Sequence, residues 1–184
     1  MFIQTEQTPN PATLKFLPGR SVLESGQVEI LDADEAERVS PLARRLFAVE
    51  GVRSVFMARD FVAVTKQVGA DWYLLKPGVL GAMVEHFMSG DEALTESEDQ
   101  EPVASEEDSE TVSKIKELLD TRVRPAVAND GGDIVFHGFD RGVVYLHMKG
   151  ACAGCPSSIV TLKNGIENLL RYYVPDVVEV RAID

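Results

Sequence analysis

Cys152 and Cys155 are the only cysteines of this 184-residue chain, and they stand three positions apart in Met148-Lys149-Gly150-Ala151-Cys152-Ala153-Gly154-Cys155-Pro156-Ser157-Ser158. A disulfide across so tight a ring would constrain little of the unfolded chain, and a secreted scaffold would carry more cysteines. The pair is therefore better read as chemistry than as a staple. Gly150 and Gly154 let the backbone turn and approach closely. Pro156 suits the first position of a helix, which puts Cys155 at the N-cap. The unpaired N–H groups and positive dipole end there favour thiolate, the form that binds metal. Lys149 is placed either to add to this or to stand in solvent. Both sulfurs are expected to leave one exposed loop in the same direction.

Four chemistries compete for such a pair. Two small apolar residues could simply occupy a loop. A thioredoxin-like dithiol is another reading, although that motif normally follows the first strand of a longer βαβ fold. Structural zinc needs four N or S ligands, and the only histidines are His86, His137 and His147; His137 and His147 are read on strand faces opposite the core, where a solvated or packed side chain is the default, and zinc shared between two chains stays open. An iron–sulfur cluster typically takes four thiolates, which two chains related by a two-fold axis would supply from one self-complementary patch. A cluster held at so small an interface would be easily surrendered. That is a carrier's property.

The elements around the pair are readable. Val112, Ile115, Leu119 and Val123 mark an amphipathic helix expected to end before Pro125. Asn129-Asp130-Gly131-Gly132 is turn chemistry, and Asp130 and Asp133 are read as turn and cap residues rather than metal ligands. Ile134 and Phe136 alternate with Val135 and His137. After Asp140-Arg141-Gly142, Val144, Leu146 and Met148 alternate with Val143, Tyr145 and His147, giving a second strand paired with the first. Ile159, Leu162, Ile166, Leu169 and Tyr173 then line one face of a helix that stops before Pro175. Val178, Val180 and Ala182 close the chain as a strand. The order is helix-strand-strand-helix-strand.

The first ninety residues read as a second small α/β domain. Strands are expected at Phe2–Gln7 and Ala12–Leu17, and a hairpin at Val52–Ala58 and Phe61–Lys66. Ser40-Pro41 is a helix start with Leu42, Leu46 and Phe47 on one face. A last helix lies near Pro77 and buries Leu80, Val84 and Phe87; His86 on it is expected to be packed or solvated. Between the domains, Asp91 to Glu110 holds ten acidic residues and no Lys or Arg, and the net charge of −12 falls to −2 once those ten are set aside. Such a stretch buries too little to offset the entropy of ordering and reads as a flexible linker. The expected division is 1–90, an acidic linker 91–109, and 110–184, an α+β protein of two small domains.

Composition excludes several classes. The folded parts are nearly neutral, which argues against nucleic acid. No apolar run is long enough to span a bilayer. No Ser–His–Asp grouping, paired-carboxylate site or phosphate loop stands out, so no enzyme is expected. Met1–Gln7 has neither signal- nor transit-peptide patterning, which gives a cytoplasmic expectation, with an imported, processed form in the mitochondrial matrix as the alternative.

Val123-Arg124-Pro125, Asn129-Asp130-Gly131-Gly132-Asp133-Ile134 and the segment Gly150 to Ser158 together resemble the NifU C-terminal (Nfu) domain. Gln7-Thr8-Pro9-Asn10-Pro11-Ala12-Thr13-Leu14-Lys15-Phe16 and Trp72 resemble the Nfu N-terminal domain. The resemblance implies an iron–sulfur scaffold or carrier that binds a 4Fe–4S cluster between two protomers and passes it to apo-proteins. It carries the ligand role onto Cys152 and Cys155 alone. The cysteine-bearing domains of full NifU proteins are lacking, so receipt and delivery are expected rather than synthesis. The N-terminal domain, without cysteine, is expected to dock client proteins or upstream assembly factors.

Overall fold

The computed structural model describes residues 1–95, 110–153 and 156–183, with side chains from 159 onward in the last stretch. The chain divides into two compact units, Met1–Asp99 and Gln100–Asp184. The part of the predicted acidic linker from 96 to 109 lies outside the described residues, as do Gly154 and Cys155.

In the first unit a five-stranded antiparallel sheet runs in the order β1-β2-β5-β4-β3. The strands are β1 (Gln4–Gln7), β2 (Thr13–Leu17), β3 (Val28–Ile30), β4 (Val52–Met57) and β5 (Val62–Lys66). One face packs against α1 (Ala33–Val39), α2 (Pro41–Phe47) and α3 (Trp72–Ser89), over a core that includes Phe16, Ile30, Leu42, Leu46, Val55, Met57 and Val79. The predicted start of α2 is present in atomic detail: Ser40 caps it by accepting from the Ala43 N–H at 2.9 Å, and Pro41 follows. Strand β3 and helix α1 are additional elements, too short for periodicity to declare.

Helix α3 differs from expectation in which stripe it buries. Leu75, Val79, Met83 and His86 are buried, while Leu80, Val84 and Phe87 are only half-buried. Apolar residues at 79, 80, 83, 84 and 87 cover two adjoining stripes. Docking of α2 against α3 decides which one is dry.

The second unit is a three-stranded sheet, β6-β7-β8, with β6 (Gly132–Asp140) antiparallel and β8 (Glu179–Ile183) parallel to the central β7 (Val143–Gly150). Helix α6 (Pro156–Tyr173) makes the crossover that a parallel pair requires. The core gathers Ile115, Leu119, Ile134, Leu146, Leu170 and Val180. Three details depart from the sequence expectation. The first helix does not end before Pro125. It runs as α4 (Glu110–Leu118), passes through a π-helical turn at Leu119–Val123, and continues as α5 (Arg124–Asn129). The wider turn fits the proline's missing N–H and bulky ring, and the Arg124 N–H reaches back to the Leu119 carbonyl instead. Tyr173 is exposed, and the α6 stripe closes through Leu170 and Val174. Val178 and Ala182 are exposed as well. On an edge strand Val180 makes the core contact, paired in register with Val144.

Candidate functional site

The loop that carries the cysteines leaves the end of β7, directly opposite the start of β6: Gly132 pairs with Gly150, and the Ala151 N–H donates to the Gly131 carbonyl at 3.2 Å. Gly150 has φ +63°, a left-handed conformation that costs glycine little and turns the chain back over β6. Gly132 has no room for a side chain. A Cβ there would stand 2.6 Å from Cys152 Sγ and 2.8 Å from the Lys149 carbonyl oxygen. Cys152 is thus seated against bare backbone and is only 7% exposed, packed with the core of the unit. This corrects the expectation of an exposed sulfur. The glycine-rich loop does not hold Cys152 out in solvent; it folds the side chain inward over Gly132.

The platform under Gly132 is fixed by a charge pair. Asp133, 2% exposed, accepts from Arg124 Nε at 2.9 Å and from Nη2 at 3.1 Å, a two-pronged contact joining the first turn of α5 to the first strand of the sheet. The same guanidinium donates from Nη1 to Asp120 at 3.0 Å. The Asp133 hydrogen bond is the main reason that the Arg124 pKa is raised above its ordinary value. Reading Asp133 as a turn or cap residue misses this role. The signal lay in the nine-residue spacing from Arg124, which means nothing until the π turn and α5 bring the two together.

The profile described as "Scaffold protein Nfu/NifU N terminal" matches residues 3–90, and that described as "NifU-like domain" matches residues 115–181. The chain is 50% identical over 184 residues to the human protein named NFU1 iron-sulfur cluster scaffold homolog, mitochondrial, and covers 72% of it. It belongs to the Nfu/NifU scaffold-protein family. A relative of the same name from Drosophila ananassae is 51% identical along the whole of this chain, which spans 64% of that relative's length. Among solved structures, a NifU-like protein from Saccharomyces cerevisiae aligns with 53% of this chain and 87% of its own at 26% identity, with a TM-score of 0.47.

Of the residues singled out in the sequence, Cys152 lies in the core at the loop, and Cys155 lies outside the described residues. His137 and His147 stand on the strands of the same unit, His137 exposed and His147 half-buried, and His86 belongs to the other unit. Among the described residues no three His, Cys, Asp or Glu side chains converge as a metal site. No helix among them is long and apolar enough to cross a membrane.

Proposed function

We propose that this chain is an iron–sulfur cluster scaffold and carrier, its cargo a 4Fe–4S cluster bound between two protomers by Cys152 and Cys155 of each and then delivered to apo-proteins. The observation that carries this reading is Cys152 on a glycine-backed loop that opens into α6, inside a NifU-like domain. A cubane takes four thiolates and one chain brings two, so ligation demands a second copy.

The working division is 1–90, 91–109 and 110–184, except that 91–95 go with the first unit, where Ala93 is buried and the Thr95 N–H donates to the Val39 carbonyl; the cysteine-free N-terminal domain docks clients or upstream assembly factors. The role is that of a carrier, not a catalyst. Relatives named mitochondrial favour a processed form in the matrix over the cytoplasm.

Anaerobic reconstitution with iron and sulfide tests the core of the proposal. The expected product is brown and dimeric, with about one cubane per two chains. Cys152→Ala and Cys155→Ala should each give colourless, monomeric protein. A single chain holding a full cubane, or undiminished iron uptake by Cys152→Ala, would overturn it. Catalytic disulfide reduction by a colourless wild-type protein would favour a dithiol oxidoreductase instead, and zinc alone a structural zinc module.

A further inference from the structure

Helix α6 turns a stripe without charge to the outside. Thr161, Gly165, Asn168 and Tyr172 are all exposed and recur at steps of four, three and four, the spacing of a coiled-coil seam. Half-buried Leu162 and Leu169 flank the stripe on one side, and Val160, 57% exposed, borders its start on the other. Charged residues make up 26% of the chain, and an outer helix face is where they ordinarily stand. The three on α6 are turned aside instead. Lys163 reaches Glu179 at 4.0 Å, Glu167 accepts the Val180 N–H at 3.2 Å, and Arg171 lies 3.9 Å from Glu167. Tyr173 has the Arg122 guanidinium over its ring at 4.9 Å, while its neighbour Tyr172 is left 81% exposed.

Packing within the unit gives no reason for Gly165. A Cβ there would meet nothing within 4 Å, and a glycine inside a helix weakens it relative to alanine. A second backbone lying close against this face from outside the unit accounts for it. The stripe also begins one turn into α6, and α6 follows directly on the cysteine loop. Whatever brings two cysteine loops together therefore brings two such stripes within reach of each other.

We propose that this stripe is the contact between two copies of the chain in the cluster-bearing dimer, packed as a parallel pair of α6 helices. The inference rests on the scaffold reading, in which one chain supplies only two of four thiolates. Helix length fixes the orientation. With 18 residues α6 is about 27 Å long, so antiparallel packing would hold the two cysteine loops about that far apart. Parallel packing sets them side by side at one end. The two-fold axis then runs along the seam and each stripe residue meets its own copy, Asn168 against the partner's Asn168. A footprint of about 27 by 10 Å falls short of the roughly 800 Å² per partner of a stable complex. The seam alone therefore does not hold two chains, and pairing follows loading.

The test uses the full chain, loaded anaerobically with iron and sulfide. Asn168→Asp and Asn168→Lys each set like charges against each other on the axis, at an exposed position where either side chain is compatible with folding. Each variant alone should lose its iron to a chelator at least about fivefold faster than wild type, and should need a higher concentration to sediment as a dimer. An equimolar mixture of the two, loaded together, should return toward the wild-type rate, because opposite charges then face each other. Equal iron retention by wild type and both variants, with the wild type loaded and dimeric, would overturn the seam and leave the scaffold reading standing. Weakened single variants that the mixture does not restore would overturn the parallel arrangement and the proposal with it. A wild-type protein that takes up no cluster would overturn both readings.

Discussion

Both units bury polar side chains almost completely, and two of these, one from each unit, are treated in opposite ways. Asp133 in the C-terminal unit is 2% exposed and gripped at both oxygens by Arg124. His86 in the N-terminal unit is 1% exposed, with Nδ1 facing no partner. A buried polar group with its bonds complete specifies local geometry, here the placing of Gly132 beneath Cys152. One left incomplete costs its lost hydration with no bond in return. The C-terminal unit thus uses its buried charge to position a loop, whereas the N-terminal unit carries a buried ring nitrogen that gains no bond.

The sharpest way to break this contrast is Arg124→Met. It leaves Asp133 buried without its counterion, and about 3 kcal/mol of stability should go, the lower end for a broken buried pair because Arg124 is itself partly exposed. Heat unfolding followed by the C-terminal amide signals should show a fall of more than about 10 °C in Tm, with the N-terminal unit unchanged. Arg124→Lys, a point charge in place of a fork, should recover only part of the loss. An unshifted Tm in Arg124→Met would mean that the pair does not hold the platform.

Gly132→Ala comes next. The added methyl would meet Cys152 Sγ and the Lys149 carbonyl oxygen, and overpacking of this kind costs about 2 kcal/mol. Since the clash displaces Cys152, cluster uptake should fall further than stability does, measured as iron per chain after anaerobic reconstitution. Normal loading with normal stability would show that Cys152 does not use the Gly132 seat.

The smallest effect is the pH response of the N-terminal unit. The His86 pKa is lowered in the folded protein, chiefly by burial, so below about pH 6.5 the unfolded chain takes up a proton that the folded unit resists. Stability contributed by neutral His86 is fully present above that pH and is lost as pH falls from there toward the folded value. Denaturant titrations between pH 7.5 and 5.5 should show this decline in the wild type and its loss in His86→Gln. A flat wild-type profile would mean that the ring gives up its proton as easily folded as unfolded.

Much of the secondary structure could be read residue by residue. The hairpin around Asp140-Arg141-Gly142 was legible because its strands alternate and Gly142 takes positive φ readily, whereas the positive φ of Arg141 has no signal in its residue type. The stop at Tyr173 was legible from Pro175, and the Ser40-Pro41 start from cap chemistry. Pro125 misled because a proline ends a helix only if the chain does not widen its turn to admit it. The α3 stripe misled because two adjoining stripes were apolar, and only a neighbouring helix could choose.

The amino-acid order by itself settled what is written locally: two α+β units, a cysteine pair on a glycine-rich turn, and the strands and helix that bracket that turn. Those signals live within a few residues of each other, in periodicity, caps and φ preferences. Tertiary structure alone decided that Cys152 lies inward against Gly132, that Arg124 grips Asp133, and that His86 is buried with Nδ1 unpaired. Each of those facts depends on residues brought together from separate elements, and spacing along a chain carries no record of which side chains will meet in space.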